Sequence, residues 1–411
     1  MKRTDSFCLN CQETKAEQKA AFVFVLILAF LPVMAVVAPR FLAYGPAFAG
    51  LFLYLWQGLS FRRWPRPHRL ATLSAGAVTF LAAASALWSV DPAESLERAG
   101  KLCLVLFPAT MGLSAIPALD RATVTRWLWL VPASVALCYS LIYIELLFDM
   151  PLYRFFNHIP RGEFANSAAL NRPAVTATLC LFTALAILKR RRHTAEIGAL
   201  VLLSLLVFTL NQSQSAVLAF VCGLIFFSCA PAGRCWFQPV LFLLTTALLL
   251  WSPLLAINML DMVEALENST LGSFFSHSYA AERLEIWSFI AQHILEKPWF
   301  GYGIEATRNI ENFNAAQIYY RSTTVLHPHN FALQIWIEFG LIGALCACAL
   351  LGKILDSIHQ SRNIRSMRTE LATLYASMAV AAVGYGLWQG WWLGLMTLLL
   401  YLCALLRLTE D

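Results

Sequence analysis

The sequence predicts an all-α integral membrane protein, and three observations carry that expectation. Hydrophobic residues make up 59% of the 411 positions and charged residues only 13%, with a mean hydropathy of +0.63, whereas soluble domains carry about 25% charge. The apolar residues fall in blocks, and a helix needs about 20 such residues to cross the hydrocarbon. The polar connections between blocks alternate between basic and non-basic, as the retention of Lys and Arg on the cytoplasmic side requires.

About twelve blocks of spanning length sit near 20–38, 41–59, 70–88, 101–117, 126–148, 173–188, 196–210, 214–230, 237–258, 329–351, 371–386 and 388–407. With the N-terminus (Lys2, Arg3, Lys15, Lys19) inside, the even-numbered connections should also be basic. They are: Arg62, Arg63, Arg66 and Arg69, then Arg121 and Arg126, then Lys189 to Arg192, then Arg234, then Lys353, Arg362, Arg365 and Arg368, with Arg407 at the end. Two thirds of the 30 Lys and Arg lie on that side, so both termini are expected in the cytoplasm. The same distribution accounts for the net charge of +6 without a nucleic acid or other polyanionic partner.

The first 19 residues are polar and lack a small-residue cleavage site, so the first span is expected to act as the insertion signal. Cys8 and Cys11 form a lone CxxC without a second ligand pair, which is a weak zinc signal. The other cysteines fall in spans or on the inner side, so no disulfide framework is expected.

The chain reads as one polytopic domain over residues 1–411 with two longer outer connections. The shorter, 149–172, carries Arg154, His158, Arg161 and Arg172. The longer, 259–328, is the only sizeable polar segment, and loops of such length are functional or disordered. Its aromatics and helical pattern favour folding over the outer ends of the spans, with amphipathic helices. Ala280 to Glu296 has helical periodicity, and Lys297-Pro298 stops it. Arg283, Trp287, Ile290 and Ile294 share one face. An arginine there needs an anion: Glu264 or Glu267, a lipid headgroup, or a substrate. Trp299-Phe300-Gly301-Tyr302-Gly303 follows, with glycines suited to a tight turn.

His327-Pro328-His329-Asn330 opens the tenth span, with Gly340 and Gly343 downstream. In a continuous helix, offsets of 11 and 14 return both glycines to the face of His329. A small-residue face of this kind admits a close neighbouring helix. A helix N-terminus disfavours imidazolium and keeps His329 neutral, as a general base requires. Glu338 points away from His329 and is expected to be a buried structural hydrogen-bonding group, although intramembrane carboxylates are functional candidates by default. The two histidines could also hold a metal, but at a helix start they point apart and no third ligand is evident.

On these residues the chain resembles the O-antigen ligase and Wzy-type O-antigen polymerase superfamily. His329-Asn330 followed by Gly340-x-x-Gly343, with Glu338 before the first glycine, looks like the ligase signature at the end of the large periplasmic loop. Arg283 in Arg283-Leu284-Glu285-Ile286-Trp287 is similar to the family's essential loop arginine. Arg161 and Asn166 resemble its Arg…Asn segment in the shorter loop. One departure stands out: where the family often has an arginine between spans seven and eight, this chain reads Ser213-Gln214-Ser215, and glutamine can hydrogen-bond a phosphate but not neutralise it.

The resemblance implies a GT-C-like glycosyltransferase of the bacterial inner membrane, needing no metal or cofactor, with its active site periplasmic. It implies an undecaprenyl-diphosphate-linked glycan as donor and a sugar hydroxyl of lipid A-core as acceptor. It makes His329 the general base and Arg283 the cation on the leaving diphosphate, with Arg161, Arg172, Gln214, Asn330 and His327 binding substrate and Gly340, Gly343 and Glu338 structural. The lipid tail would lie among membrane lipids in a groove near Trp388, Trp391 and Trp392, although tryptophans in such positions are more often interfacial anchors and these three are not counted as site residues. A polymerase of the same superfamily is the nearest alternative. Its Arg-x10-Gly pattern is absent after Arg161, Arg283 and Arg308. A transporter would place ionisable residues and broken helices at the midplane in two repeats, whereas the candidate residues here gather in one outer loop.

Overall fold

A computed structural model describes residues 2–259, 261, 279–310, 325–361 and 363–410. Much of the long outer connection, with Glu264 and Glu267, lies outside the described residues. Among the described residues every regular element is a helix.

The chain runs through α1 (Lys2–Val37), α2 (Gly45–Phe61), α3 (Arg69–Ser85), α4 (Pro92–Ala115), α5 (Arg121–Trp127), α6 (Leu130–Leu147), α7 (Pro151–Asn157) and α8 (Asn171–Arg190). It continues through α9 (Thr194–Leu210), α10 (Gln214–Cys229), α11 (Phe237–Ile257), α12 (Tyr279–Glu296), α13 (Phe331–His359), α14 (Ile364–Val383) and α15 (Gly390–Glu410). Each apolar block coincides with at least one of these helices. Among the described residues seven helical segments are long and apolar enough to cross a membrane, and α3, α9 and α10 are shorter apolar helices.

Caps decide where several helices begin. Asp91 accepts from the Glu94 amide at 3.0 Å, ahead of Pro92 at the first helical position. These signals start α4 two turns before its apolar run, because a side-chain acceptor satisfies an otherwise orphaned amide. Asn363 starts α14 in the same way, accepting from Arg365 at 2.9 Å. The block 126–148 divides into α5, capped by Asp120 at 2.8 Å from Thr123, and α6.

Helix α8 sits at the centre, apolar and buried on nearly all sides, against α1, α6, α10, α14 and α15. The α2 and α4 backbones meet at Gly50 and Gly112, where a Cβ on Gly50 would stand 3.0 Å from the Gly112 Cα. Such close approach is what small residues permit in a membrane protein. Outward faces stay apolar: Leu243, Leu248 and Trp251 of α11 are exposed, as a lipid-facing helix requires.

The two ends of the bundle differ in charge. At one end Arg191 donates to the Thr125 carbonyl at 2.7 Å, Arg190 to Thr409 at 2.6 Å and Arg368 to Ala230 at 2.8 Å, while Arg407 pairs with Glu370. Helices α8, α10 and α15 end there, and α14 begins there. Their other ends, with the described part of the 259–328 connection, form the opposite face. Helix α12 lies on α11 and α13: Ile286, Ile290 and Ile294 are buried, and the Ser288 hydroxyl donates to the Ile257 carbonyl at 3.1 Å.

Helix α13 departs from expectation. It is not continuous: Gly340 has φ +60° and ψ −153°, a region essentially reserved for glycine. The carbonyls freed at Ile337 and Glu338 accept from Tyr302 (2.8 Å) and Gly303 (2.9 Å), and the Leu341 amide donates to Pro298 (2.8 Å). The Trp299–Gly303 turn thus fills the break. A Cβ on Gly340 would stand 2.4 Å from the Trp299 carbonyl carbon, and one on Gly301 would stand 2.6 Å from the Ile337 oxygen. The glycines serve a loop-to-helix contact rather than a helix–helix face. A Cβ on Gly343 would meet the Phe339 side chain at 2.3 Å, so the break folds that side chain over it. The azimuth expected to align both glycines with His329 fails for the same reason.

Candidate functional site

On the face opposite the basic end, segments distant in sequence converge on His329. Its backbone has φ +54°, so it lies just before α13 rather than in its first turn. Asn330 is the N-cap, its side-chain oxygen accepting from Ala332 (3.0 Å) and Leu333 (3.2 Å). That oxygen is therefore committed to the helix, leaving the amide nitrogen of Asn330 for other partners.

The Nδ1 of His329 meets the carbonyl oxygen of Gly384, between α14 and α15. A carbonyl only accepts, so Nδ1 carries the hydrogen and Nε2 of the neutral ring presents its lone pair. Burial, opposed by the Gly384 bond and aided by the Arg283 charge, holds the His329 imidazole below its ordinary basicity. His327 does not point away from it, as a helix start would require; the ring centroids lie 4.2 Å apart. Burial, with His329 and Arg308, pushes His327 down to about 3, and its Nε2 is buried without a partner among the described residues. Among the described residues no third His, Cys, Asp or Glu joins the pair there.

Helix α12 brings in the cation. The Trp287 indole donates to the Pro328 carbonyl at 2.8 Å, pinning α12 to the His-Pro-His segment, and Arg283 lies one turn earlier on the same face. Burial lowers the basicity of its guanidinium, while Tyr385 and Glu282 act on it from a distance. Among the described residues no carboxylate reaches salt-bridge distance of Arg283 or of Arg172. Arg172, at the start of α8, lies over the Trp391 ring at 5.6 Å, and Trp391 meets the Tyr385 ring edge-on at 4.6 Å.

The start of α10 completes the group. Ser213 and Ser215 hydroxyls are 3.3 Å apart, and a Cβ on Gly384 would stand 3.7 Å from the Ser215 Cβ. Gln214 between the serines is exposed. Tyr385 feels Arg172, Ser215 and Arg283, although burial outweighs them and raises its phenol.

Of the sequence-predicted residues, the structure gathers His329, His327, Asn330, Arg283 and Arg172 around the 384–386 turn, with Gln214 exposed next to Ser215, which reaches that turn. Arg161 stands apart in an exposed turn, lining an open depression with Arg154 and His158. Glu338 is buried behind the site, hydrogen-bonded by Gln334 at 2.9 Å and by the Trp388 indole. Trp388, Trp391 and Trp392 are buried and so belong to the protein interior, not to an open lipid groove or an interfacial belt. Tyr385 and Gln334 were missed by sequence reasoning; the Gly384-Tyr385-Gly386 string between two apolar blocks was the available signal for the first.

A protein whose described residues are helical, with several helices long and apolar enough to cross a membrane and with Arg283, Arg172 and a hydrogen-bonded histidine gathered at one end, is the class these features define. Residues 199–348 match the sequence profile of the O-antigen ligase family, a stretch that runs from α9 into α13 and includes Gln214, Arg283 and His329. Three curated proteins named "Putative polysaccharide ligase" are also similar. The Rickettsia conorii protein is 26% identical over 318 residues, 75% of this chain and 73% of that one. The Rickettsia bellii protein is 27% identical over 329 residues, 78% and 77% of the two chains. The Rickettsia typhi protein is 32% identical over 118 residues, 28% and 29%. The resemblance to the O-antigen ligase superfamily, first read from short motifs, is thereby shown.

Proposed function

We propose that this protein transfers a glycan from undecaprenyl diphosphate to a sugar hydroxyl of lipid A-core, at the periplasmic face of the bacterial inner membrane. One observation carries the proposal: Arg283, half-buried and without a carboxylate at salt-bridge distance among the described residues, lies within electrostatic reach of His329, whose Nδ1 is engaged by the Gly384 carbonyl. The names of the similar proteins, polysaccharide ligases, support glycan transfer of this type. In this reading the chain spans the membrane about twelve times in a GT-C-like arrangement, with both termini cytoplasmic.

The periplasm holds no sugar nucleotides, so the glycan arrives already activated as a lipid diphosphate. The acceptor hydroxyl gives its proton to His329 Nε2 as its oxygen attacks the anomeric carbon. The anomeric C–O bond to phosphate breaks, and its electron pair leaves on undecaprenyl diphosphate. Arg283 and Arg172 stabilise that growing charge, with Gln214, the Asn330 amide nitrogen and His327 as neutral partners. A single displacement inverts the anomeric centre. No step uses a metal.

Purified protein mixed with radiolabelled lipid-linked glycan and lipid A-core is expected to move label onto lipid A-core. Label appearing instead in longer lipid-linked chains would identify a polymerase. Absence of any new covalent product, with label crossing a vesicle membrane, would replace the transferase by a transporter.

A further inference from the structure

Behind His329 lies a second layer of hydrogen bonds. Glu338 is 0% exposed and has no Lys or Arg within salt-bridge distance among the described residues. A carboxyl group without a cation is costly to bury, so its position calls for a reason. One oxygen accepts from Gln334 Nε2 at 2.9 Å and the other from the Trp388 indole. Gln334, one turn earlier and 2% exposed, turns its own oxygen to the Leu387 amide at 2.8 Å. Two residues of α13 thus grip Leu387 by its main chain and Trp388 by its side chain. Three residues before Leu387, the Gly384 carbonyl receives His329 Nδ1. Between them Gly386 leaves no slack, since a Cβ there would stand 3.1 Å from the His327 ring.

We propose that Gln334 and Glu338 are positioning residues for His329: they clamp the 384–388 turn so that the Gly384 carbonyl fixes the imidazole tautomer. This rests on the general-base reading above. A hydrogen-bonded partner on the far nitrogen decides which imidazole nitrogen faces the substrate, and at metal sites the loss of such a partner of a ligating histidine costs roughly ten- to a hundredfold in affinity or activity.

The donor and acceptor pattern provides the test. Glu338→Gln keeps the size of the side chain but sets an NH2 group against either the NH2 of Gln334 or the N–H of Trp388, so in both orientations the clamp loses a bond. In the double variant Gln334→Glu/Glu338→Gln, the amide introduced at 338 donates to the carboxylate introduced at 334. That carboxylate still accepts from Leu387, and the amide oxygen still accepts from Trp388. The full-length purified variants would be assayed for transfer across pH, with thermal unfolding recorded alongside.

Glu338→Gln is expected to lose roughly ten- to a hundredfold in rate and to shift the acid limb to lower pH, because a loosened Gly384 bond no longer supports the basicity of His329. The double variant is expected to recover both. The proposal is overturned if Glu338→Gln transfers with wild-type rate and pH profile, or if the double variant does not fold or stays as impaired as the single. A His329→Ala protein that transferred normally would remove the general base and the clamp's purpose together. An inactive His329→Ala beside unimpaired clamp variants would remove the clamp alone.

Discussion

Arg283 combines burial with the lack of a carboxylate at salt-bridge distance among the described residues, and a guanidinium taken from water in that way is stabilised by an anion that arrives from outside. Arg283→Ala should therefore weaken donor binding, raising the donor KM by about 1.5–3 kcal/mol equivalent, the worth of a hydrogen bond to a charged group. Initial rates at varied donor concentration would show it. Gln214 offers the reverse change: Gln214→Arg adds a charge beside the donor site, and the donor KM should fall roughly tenfold, about 1.4 kcal/mol. His329 sets the pH dependence. Its basicity is depressed, so the base stays neutral as pH falls through the ordinary imidazole value of about 6.5. Transfer should persist there and be lost only lower, as the ring finally protonates. Arg283→Ala removes one depressing cause, so in that variant the acid limb should move up. His329 and Arg283 were legible in the sequence because each stands in a short motif. Gln334 was not, because an amide in an apolar run announces nothing until its partners at 338 and 387 are seen.

At the scale of the element, α12 and the break in α13 place the site. The helix over 280–296 was readable from its periodicity and the Lys297-Pro298 stop, and it ends at Glu296. The break at Gly340 was not, because a glycine in an apolar helix pattern is compatible with continuity. Only the Trp299–Gly303 turn, brought from 40 residues away in sequence, supplies the hydrogen bonds that make the break stable. Gly340→Ala should cost about 3 kcal/mol or more, combining a positive-φ penalty with a backbone clash. Thermal unfolding of the purified variant would measure it. Helix starts such as Asp91 and Asn363 lay outside the apolar blocks, which explains why hydropathy alone placed α4 and α14 late.

Across the whole molecule, one end gathers the basic connections and the other gathers His327, His329, Arg283 and Arg172. The blocks were legible because lipid demands apolar helices of a set length; which blocks neighbour each other was not, since contacts such as Gly50 with Gly112 depend on three-dimensional packing. In a cysteine-free background, Arg161→Cys should react with an impermeant maleimide added outside the inner membrane, and Arg365→Cys only after lysis. The most direct measurement of the central claim is made on purified His329→Ala with labelled lipid-linked glycan and lipid A-core, scoring donor binding and product in the same sample. The account expects donor bound at near wild-type affinity and transfer abolished. Transfer at near wild-type rate would contradict it.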